Sequence, residues 1–143
     1  AITWGIGSAT NLEIDKYGIN PATFMAMERA LGVALEKVAF DEPDALFLDS
    51  LLWPEMFRIP QVSMIDGDKH SLTIAAASIL AKIWRDDVMR GFDEQYPQYE
   101  FAAHVGYGTA KHQAALKQHG VSPIHRTYYK PVQKVLDTSR DES

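Results

Sequence analysis

Apolar residues recur every three or four positions in two long segments of the chain, which predicts two helices. The first covers Asn20–Val38, where an asparagine followed by a proline supplies a cap and a suitable first-turn residue. The second runs from about residue 71 to residue 92. Its predicted core stripe comprises Ile79, Leu80, Ile83 and Val88.

Shorter helices are predicted before and after these two segments. Asn11 caps a helix that Gly18 ends, and Thr109 caps one that Gly120 ends. A last short helix is predicted from Val132 onward. The C-terminal part of the chain is therefore expected to be mainly helical.

Three apolar segments are typical of strands: residues 1–7, 45–48 and 61–65. The middle one is apolar on both faces, which is typical of a strand that is covered on both sides. Residues 53–60 contain two prolines and no period, which indicates a loop. Strands separated by helices predict an α/β fold with a small sheet.

The composition is that of a globular chain of ordinary size. Its 143 residues suit a single domain, with 46% hydrophobic and 23% charged residues. No apolar run is long enough to span a membrane, and no secretory signal pattern is visible. The absence of cysteine excludes disulfides and thiolate zinc sites and is compatible with a cytoplasmic location.

Charge is distributed unevenly along the chain. Residues 1–68 carry 11 acidic and 4 basic side chains, whereas residues 69–143 carry 8 acidic and 10 basic ones. Residues 101–136 contain no acid, and they hold five lysines and arginines and four of the five histidines. This pattern suits a polyanion held against a carboxylate cluster, although a solvated helix face would also produce it.

Two aspartates stand at positions where metal ligands are common. Asp49 follows the predicted strand at residues 45–48, and Asp68 follows Gly67 shortly before the second long helix. Sites in open α/β sheets cluster beyond the carboxyl ends of strands, so the two acids can converge on a metal ion. The alternative for both is an ordinary turn or cap aspartate.

Tyr107 lies between two glycines, where an exposed ring can stack on a base or a sugar. Gly106 and Gly108 would also let a phosphate backbone approach main-chain N–H groups. The alternative is a turn tyrosine that folds back on the core. His125 and Arg126 could contact phosphate or simply cover the surface. The sequence contains no P-loop, zinc-protease or Rossmann glycine motif.

Together these motifs resemble ribonuclease HII, in the same order and with matching spacing. The segments that carry the resemblance are Leu48-Asp49, Gly67-Asp68, Ala76 to Lys82 with Arg85-Asp86, Tyr96-Pro97, His104 to Thr109, and Pro123 to Arg126 with Pro131-Val132. The resemblance implies one domain with a ribonuclease H-like mixed sheet over residues 1–100 and a substrate-binding helical part over residues 101–143. It also implies a truncation at the N-terminal strands, because the family's Asp-Glu-Ala-Gly-Arg-Gly motif is absent from this sequence.

Ribonucleases of this family bind two divalent ions, usually Mg²⁺ or Mn²⁺, through four carboxylates. Asp49 and Asp68 match two of these, and the other two belong to the absent motif. The resemblance implies a monomeric endonuclease with no membrane partner. Its implied substrates are RNA–DNA hybrids and duplex DNA that contains single ribonucleotides.

The resemblance also implies a set of substrate contacts. Tyr107 matches the tyrosine that packs on the deoxyribose at an RNA–DNA junction. The other implied contacts are Gly106, Gly108, Thr109, Lys82, His125 and Arg126. Asp66 and Val105 replace usually basic residues, which would lower substrate affinity, and Ser50 stands where glycine is common.

Two other functions are compatible with the same residues. A chain with two of the four carboxylates could bind nucleic acid without cutting it. An unrelated small metal phosphohydrolase would instead act on free nucleotides.

Overall fold

The computed structural model describes residues 1–39 and 42–141. Its helices are α1 (Asn11–Tyr17), α2 (Ile19–Leu35), α3 (Gly67–His70), α4 (Leu72–Gln95), α5 (Phe101–His104), α6 (Ala110–His119) and α7 (Lys130–Asp141). Its strands are β1 (Leu46–Asp49) and β2 (Gln61–Met64), and short 3-10 helices cover Pro54–Met56 and Pro97–Tyr99. The predicted α/β class is confirmed.

The chain forms two compact units. The first unit comprises Ala1–Ser8 and Thr23–Ile83, and the second comprises Ala9–Ala22 and the residues from Trp84 onward. The boundaries therefore fall within α2 and within α4, and the division at residue 100 stays a prediction. None of the helices in the described ranges combines the length and apolar character that a membrane span requires.

β1 and β2 form a parallel pair in the first unit that sets Asp49 beside Met64. Trp53, in the connection between the strands, is buried and stacks on Phe24 with ring centroids 6.3 Å apart. The Gln61 side chain accepts the N–H of Trp53 and donates to its carbonyl, both at 2.8 Å. These contacts keep the connection compact, so that both strands end at the same edge.

Residues 1–8 do not form the predicted strand. They extend along α2 and have no ladder partner in the described part of the chain. The Thr3 hydroxyl donates to the Ala34 carbonyl at 2.9 Å, and Lys37 Nζ donates to the Trp4 carbonyl at 2.9 Å. Bonds to α2 and from Lys37, two residues after its end, thus take the place of a neighbouring strand, which the apolar pattern alone does not reveal.

The predicted core stripe of α4 is wrong for the residues of this helix that belong to the first unit, which ends at Ile83. Ile79 and Ile83 are 59% and 55% exposed, and Leu80 is also exposed, whereas Ile74 is buried. Phe47 on β1 is exposed too, although the sequence predicts a strand covered on both faces. Periodicity identifies an apolar face but not what lies against it, and in the described ranges this face is open to solvent.

Tyr99, Phe101, Leu116 and Val132 form the buried core of the second unit. The rings of Tyr99 and Phe101 are stacked, with centroids 5.3 Å apart. The Tyr99 hydroxyl donates to the Gly120 carbonyl at 2.8 Å, which satisfies the phenol at the end of α6. Burial raises the pKa of Tyr99, so the hydroxyl keeps its proton.

The sequence predicts Asn11 as the cap of α1, but the cap in the structure is Thr10. The Thr10 hydroxyl accepts the Glu13 N–H at 3.2 Å, and the Glu13 carboxylate accepts the Thr10 N–H at 2.8 Å. This reciprocal pair is a complete capping box, and it leaves the Asn11 side chain available for other contacts. The predicted ends of α6, Thr109 and Gly120, are confirmed.

Gly7 packs directly on the backbone of α2, which predicts a large cost for any side chain at this position. A Cβ there would overlap the Ala26 carbonyl oxygen and the Ala30 amide nitrogen. Gly7→Ala should therefore lower the free energy of unfolding by about 2–3 kcal/mol, since helix backbone cannot move aside.

The matched control is Gly32→Ala, because a Cβ at residue 32 on α2 would meet nothing within 4 Å. Alanine there should raise the free energy of unfolding by about 0.5–1 kcal/mol through its helix propensity. Urea unfolding followed by circular dichroism measures both variants. Equal stability of the two would contradict the close packing of residue 7.

Candidate functional site

Asp49 is held at the carboxyl end of β1 by two hydrogen bonds to one of its oxygens. The Gly67 N–H donates to Oδ1 at 2.9 Å, and the Ser50 hydroxyl donates to the same oxygen at 3.2 Å. The side chain is exposed, so these bonds orient the carboxylate without burying it. The described contacts leave Oδ2 as the oxygen for a ligand.

Gly67 is the residue that allows this arrangement. It is buried, and a Cβ at this position would lie 2.8 Å from Ile74 Cδ1 and 3.5 Å from Asp49 Cα. A side chain at this position would therefore require the Ile74 side chain to shift. The close approach also brings Asp49 into contact with the residue that directly precedes Asp68.

Asp68 lies exposed in the first turn of α3. Asp66, two residues earlier, has a left-handed φ of 53°, and its carboxylate forms an ion pair with Lys69 at 2.8 Å. Of the two acids beside Gly67, Asp66 is therefore already paired with a neighbouring cation.

The chemistry of Asp49 and Asp68 fits a hard divalent cation. Mg²⁺ prefers oxygen ligands, and it usually takes one or two carboxylates while keeping several waters. The bond from Gly67 orients Asp49 in the way that outer hydrogen bonds commonly orient metal ligands. No group of three or more potential ligands occurs within residues 1–39 and 42–141.

The second unit carries the turn at Gly106–Gly108, which presents Tyr107. Val105 and Gly106 have left-handed φ values of 42° and 82°. This conformation suits glycine, but it strains a β-branched valine by roughly 1–3 kcal/mol. The Tyr107 ring is 62% exposed, as the flanking glycines predict.

Arg85 supports this turn from α4. Its guanidinium carbon lies 5.0 Å from the centroid of the Tyr107 ring, and its Nη2 donates to the Val105 carbonyl at 3.1 Å. The cation therefore covers part of the ring and braces the strained residue before it. Much of the ring remains open to a base or a sugar.

Three imidazoles lie behind the turn. His104 Nδ1 accepts the Gly106 N–H at 3.2 Å, and His112 Nδ1 lies 3.0 Å from the Tyr107 carbonyl oxygen. His112 Nε2 lies 3.2 Å from His125 Nε2. The sequence-based site missed His104 and His112, although their positions on either side of the turn were a signal.

His125 and Arg126 were both predicted to contact substrate, and their environments differ. His125 is buried, with Nδ1 2.8 Å from the Ser122 hydroxyl oxygen. Arg126 is half-buried and, with Arg85 and Tyr107, lines a cavity of about 340 Å³ in the second unit. Two guanidinium groups beside an exposed aromatic ring suit a phosphate and its sugar.

The remaining predicted contacts are found at several positions. The Thr109 hydroxyl accepts the His112 N–H at 3.2 Å, and the Gly108 carbonyl accepts the Gln113 side-chain amide at 2.9 Å. Both residues therefore shape the turn itself. Lys82 lies exposed on the part of α4 that belongs to the first unit.

Helix α1 anchors the segment that contains Arg126. Asp15 accepts the N–H groups of Thr127 and Tyr128 at 2.8 and 3.0 Å, and the Thr127 hydroxyl at 2.7 Å. Burial raises the pKa of Asp15, but these hydrogen bonds and the charge of Arg126 outweigh it and hold the pKa below its ordinary value. Asn11, one turn earlier, donates to two carbonyls of the same segment. Their four-residue spacing on one helix face was a usable signal.

Comparison with known proteins gives consistent matches. The family model of ribonuclease HII matches residues 6–132. The ribonuclease HII of Desulfitobacterium hafniense (strain DSM 10664 / DCB-2) is 49% identical over 138 residues, which cover 96% of this chain and 50% of that protein. The ribonuclease HII of Natranaerobius thermophilus is 42% identical over 142 residues, which cover 99% of this chain and 69% of that protein.

A third relative, the ribonuclease HII of Chloroflexus aggregans, is 47% identical over 133 residues, which cover 93% of this chain and 60% of that protein. The chain therefore spans about half the length of the first of these curated relatives.

Asp15→Ala should lower the free energy of unfolding by about 1–3 kcal/mol at neutral pH, because three hydrogen bonds to a partly exposed carboxylate are lost. The control Asp87→Ala removes only an exposed partner of Arg90 and should cost less than about 0.5 kcal/mol. Urea unfolding provides the measurement.

The Asp15 contribution should also depend on pH. Because the folded state lowers the pKa of Asp15, its contribution is present above the ordinary value of 3.8 and is lost as pH falls through the lower folded value. The difference between wild type and Asp15→Ala should therefore shrink in acid. An unchanged difference at neutral and strongly acidic pH would contradict the assignment.

Proposed function

Because the chain belongs to the ribonuclease HII family, we propose that it serves the hydrolysis of RNA in RNA–DNA hybrids and beside single ribonucleotides in duplex DNA. The observation that carries this proposal is the hydrogen bond from Gly67 to Asp49 at the end of β1, directly before Asp68. It supplies an oriented carboxylate and an adjacent acidic turn at the carboxyl end of a strand, where α/β sites form.

Asp49 and Asp68 would hold a divalent ion, Mg²⁺ or Mn²⁺, which when bound activates water and stabilises the leaving oxygen of a phosphodiester. The Gly67 N–H keeps Asp49 in one orientation, so the carboxylate needs little reorganisation to act as a ligand. Lys82 would contribute a point charge for a phosphate.

Tyr107 would contact the sugar beside a ribonucleotide. Its exposed ring and the cation of Arg85 against it form a firm surface for a sugar or base. Arg126 would contact phosphate, and Gly106 and Gly108 would let the nucleic-acid backbone approach the main chain. The 2′-hydroxyl is the group that distinguishes RNA from DNA at such a site.

Nucleic-acid binding without cleavage is the second candidate function. The absence of any group of three potential ligands within the described ranges favours it, since two carboxylates hold two ions poorly. Cleavage would then need two further carboxylates, which the family resemblance places in the Asp-Glu-Ala-Gly-Arg-Gly motif. A monomeric state and a cytoplasmic location complete the proposal.

Asp49→Asn should abolish metal-dependent cleavage of a duplex that contains one ribonucleotide, because a neutral amide is a poor ligand for Mg²⁺. The matched control is Asp66→Asn, which changes the acid directly before Gly67 that is already paired with Lys69 and should retain activity. Cleavage is measured with Mg²⁺ and with Mn²⁺ on the 143-residue chain and on a form extended at its N-terminus.

The two forms separate the candidate functions. Cleavage by the extended form alone, together with binding by both forms, supports the ligand requirement described above. Efficient cleavage by the 143-residue chain would overturn that requirement. Activity that survives in Asp49→Asn would remove Asp49 from the metal site.

Tyr107→Ala should reduce cleavage at single ribonucleotides by about 5- to 150-fold, because base or sugar stacking on an aromatic ring contributes about 1–3 kcal/mol. Tyr17→Ala, which removes another exposed tyrosine, is the control and should cleave as wild type does. Equal rates for the two variants would remove the proposed contact from Tyr107.

A further inference from the structure

We propose that His112 and His125 are positioning residues, which together hold the Tyr107 turn through a directional chain of neutral imidazoles that begins at Ser122. The inference rests on the proposed function, because it assigns the chain of hydrogen bonds to the turn that would read the substrate. Neither histidine needs to touch nucleic acid in this role.

The direction of the chain follows first from His112. Its Nδ1 lies 3.0 Å from the Tyr107 carbonyl oxygen, which can only accept a hydrogen bond. Nδ1 must therefore carry the proton. In a neutral ring, His112 Nε2 is then bare and can only accept, and the atom 3.2 Å away is His125 Nε2.

An independent argument gives the same direction from the other end. The Ser122 N–H, which can only donate, lies 3.1 Å from His125 Nδ1, and the Ser122 hydroxyl lies 2.8 Å from the same nitrogen. His125 Nδ1 is therefore bare and its Nε2 carries the proton. That proton faces the bare Nε2 of His112, so the two assignments agree at the shared contact.

His104 supports the turn by the opposite tautomer. Its Nδ1 accepts the Gly106 N–H at 3.2 Å, so its Nε2 carries the proton and donates to the Tyr99 carbonyl at 2.9 Å. The His104 and His112 rings are stacked, with centroids 4.3 Å apart and an interplanar angle of 12°. The turn is thus held at the Gly106 N–H and the Tyr107 carbonyl by two rings in mutual contact.

The aromatic core keeps these rings in place. The Phe101 ring meets the edges of His104 and His112 at centroid distances of 5.8 and 5.5 Å. The ring centroids of Tyr99 and His125 lie 5.0 Å apart. Such packing resists the rotation of a ring away from its partner, so the strained backbone at Val105 is held from the core of the second unit.

A proton added to this chain would break it. Protonated His112 and His125 would bring two N–H groups face to face across 3.2 Å. The charged and titratable groups that contact these rings or line the same cavity are Arg85, Arg126, His104 and the phenols of Tyr99, Tyr107 and Tyr129. The acid on the packed helix α1 is Asp15, which is engaged by the N–H groups of Thr127 and Tyr128, by the Thr127 hydroxyl and by the charge of Arg126. The described surroundings of the two rings therefore favour their neutral forms.

The lowered pKa values of His112 and His125 also favour neutral rings. Burial lowers the pKa of His112 and outweighs the hydrogen bond with the Tyr107 carbonyl, which raises it. Burial, followed by the charge of His112, lowers the pKa of His125 to about 4. A histidine whose pKa is lowered in the folded state stabilises the fold at pH values above the ordinary pKa of 6.5. This contribution is lost as the pH falls toward about 4.

Nitrogen-15 NMR of the imidazole rings in the 143-residue chain tests the tautomers directly, whatever the chain binds. Near neutral pH, His112 should carry its proton on Nδ1, and His104 and His125 should carry theirs on Nε2. His125 should remain neutral at pH 6, since its pKa is lowered to about 4. A proton on Nε2 of His112, or a charged His125 at that pH, would overturn the chain.

Binding of duplexes, measured without divalent ions so that no cleavage occurs, tests the positioning role. His112→Phe keeps a ring but removes both nitrogens, and it should weaken binding of a duplex with one ribonucleotide by about five- to tenfold. Binding of the all-DNA duplex should not change. His112→Asn places an amide N–H near the former Nδ1 and should recover most of the loss.

His119→Phe makes the same change at an exposed position of α6 and should bind both duplexes as wild type does. Equal losses on the two duplexes, or unchanged binding by His112→Phe, would overturn the positioning role. If the wild type itself shows no preference for the ribonucleotide duplex, the proposed function fails. The tautomers measured by NMR then decide independently whether the chain of imidazoles exists.

Discussion

The hydrogen bond from the Gly67 N–H to the Asp49 carboxylate is the constraint on which the candidate metal site depends. Residue 67 is buried against Ile74 and the end of β1, and its lack of a Cβ leaves room for this close packing. The parallel pairing of β1 with β2 brings the two chain segments to the same edge, and the glycine lets them meet. An exposed acid thereby acquires a defined orientation, which an isolated turn aspartate would lack.

The second unit also holds a glycine N–H with a side chain, but the accepting group is different. At Gly106, as at Gly67, a glycine N–H in a tight turn donates to a side chain, but here the acceptor is the neutral imidazole of His104. A carboxylate is suited to a position that must keep negative charge for a cation. An imidazole is suited to a position beside a polyanion, because it accepts the bond without repelling phosphate.

Local signals in the sequence predicted much of the fold and part of the site. The caps of α6, the two short strands and the exposure of Tyr107 between its glycines follow from spacing and turn chemistry. Spacing and turn chemistry do not predict the exposure of Ile79 or the course of residues 1–8 along α2, because both depend on what lies against an apolar face. The hydrogen bonds among the histidines were also hidden, since they join residues that are distant in the chain.

The histidines change how the positive charge of the C-terminal segment should be understood. Counted along the sequence, four of them strengthen a basic segment that would attract a polyanion. In the structure, His104 and His125 are buried and His112 is hydrogen-bonded through both nitrogens. As neutral groups, the form proposed above, these three rings would shape the turn, and attraction for phosphate would come from arginine and lysine side chains, of which Arg85 and Arg126 line the cavity beside Tyr107. In this proposal shape and charge are assigned to different residue types, which would allow the turn to be rigid without adding to the field that steers nucleic acid.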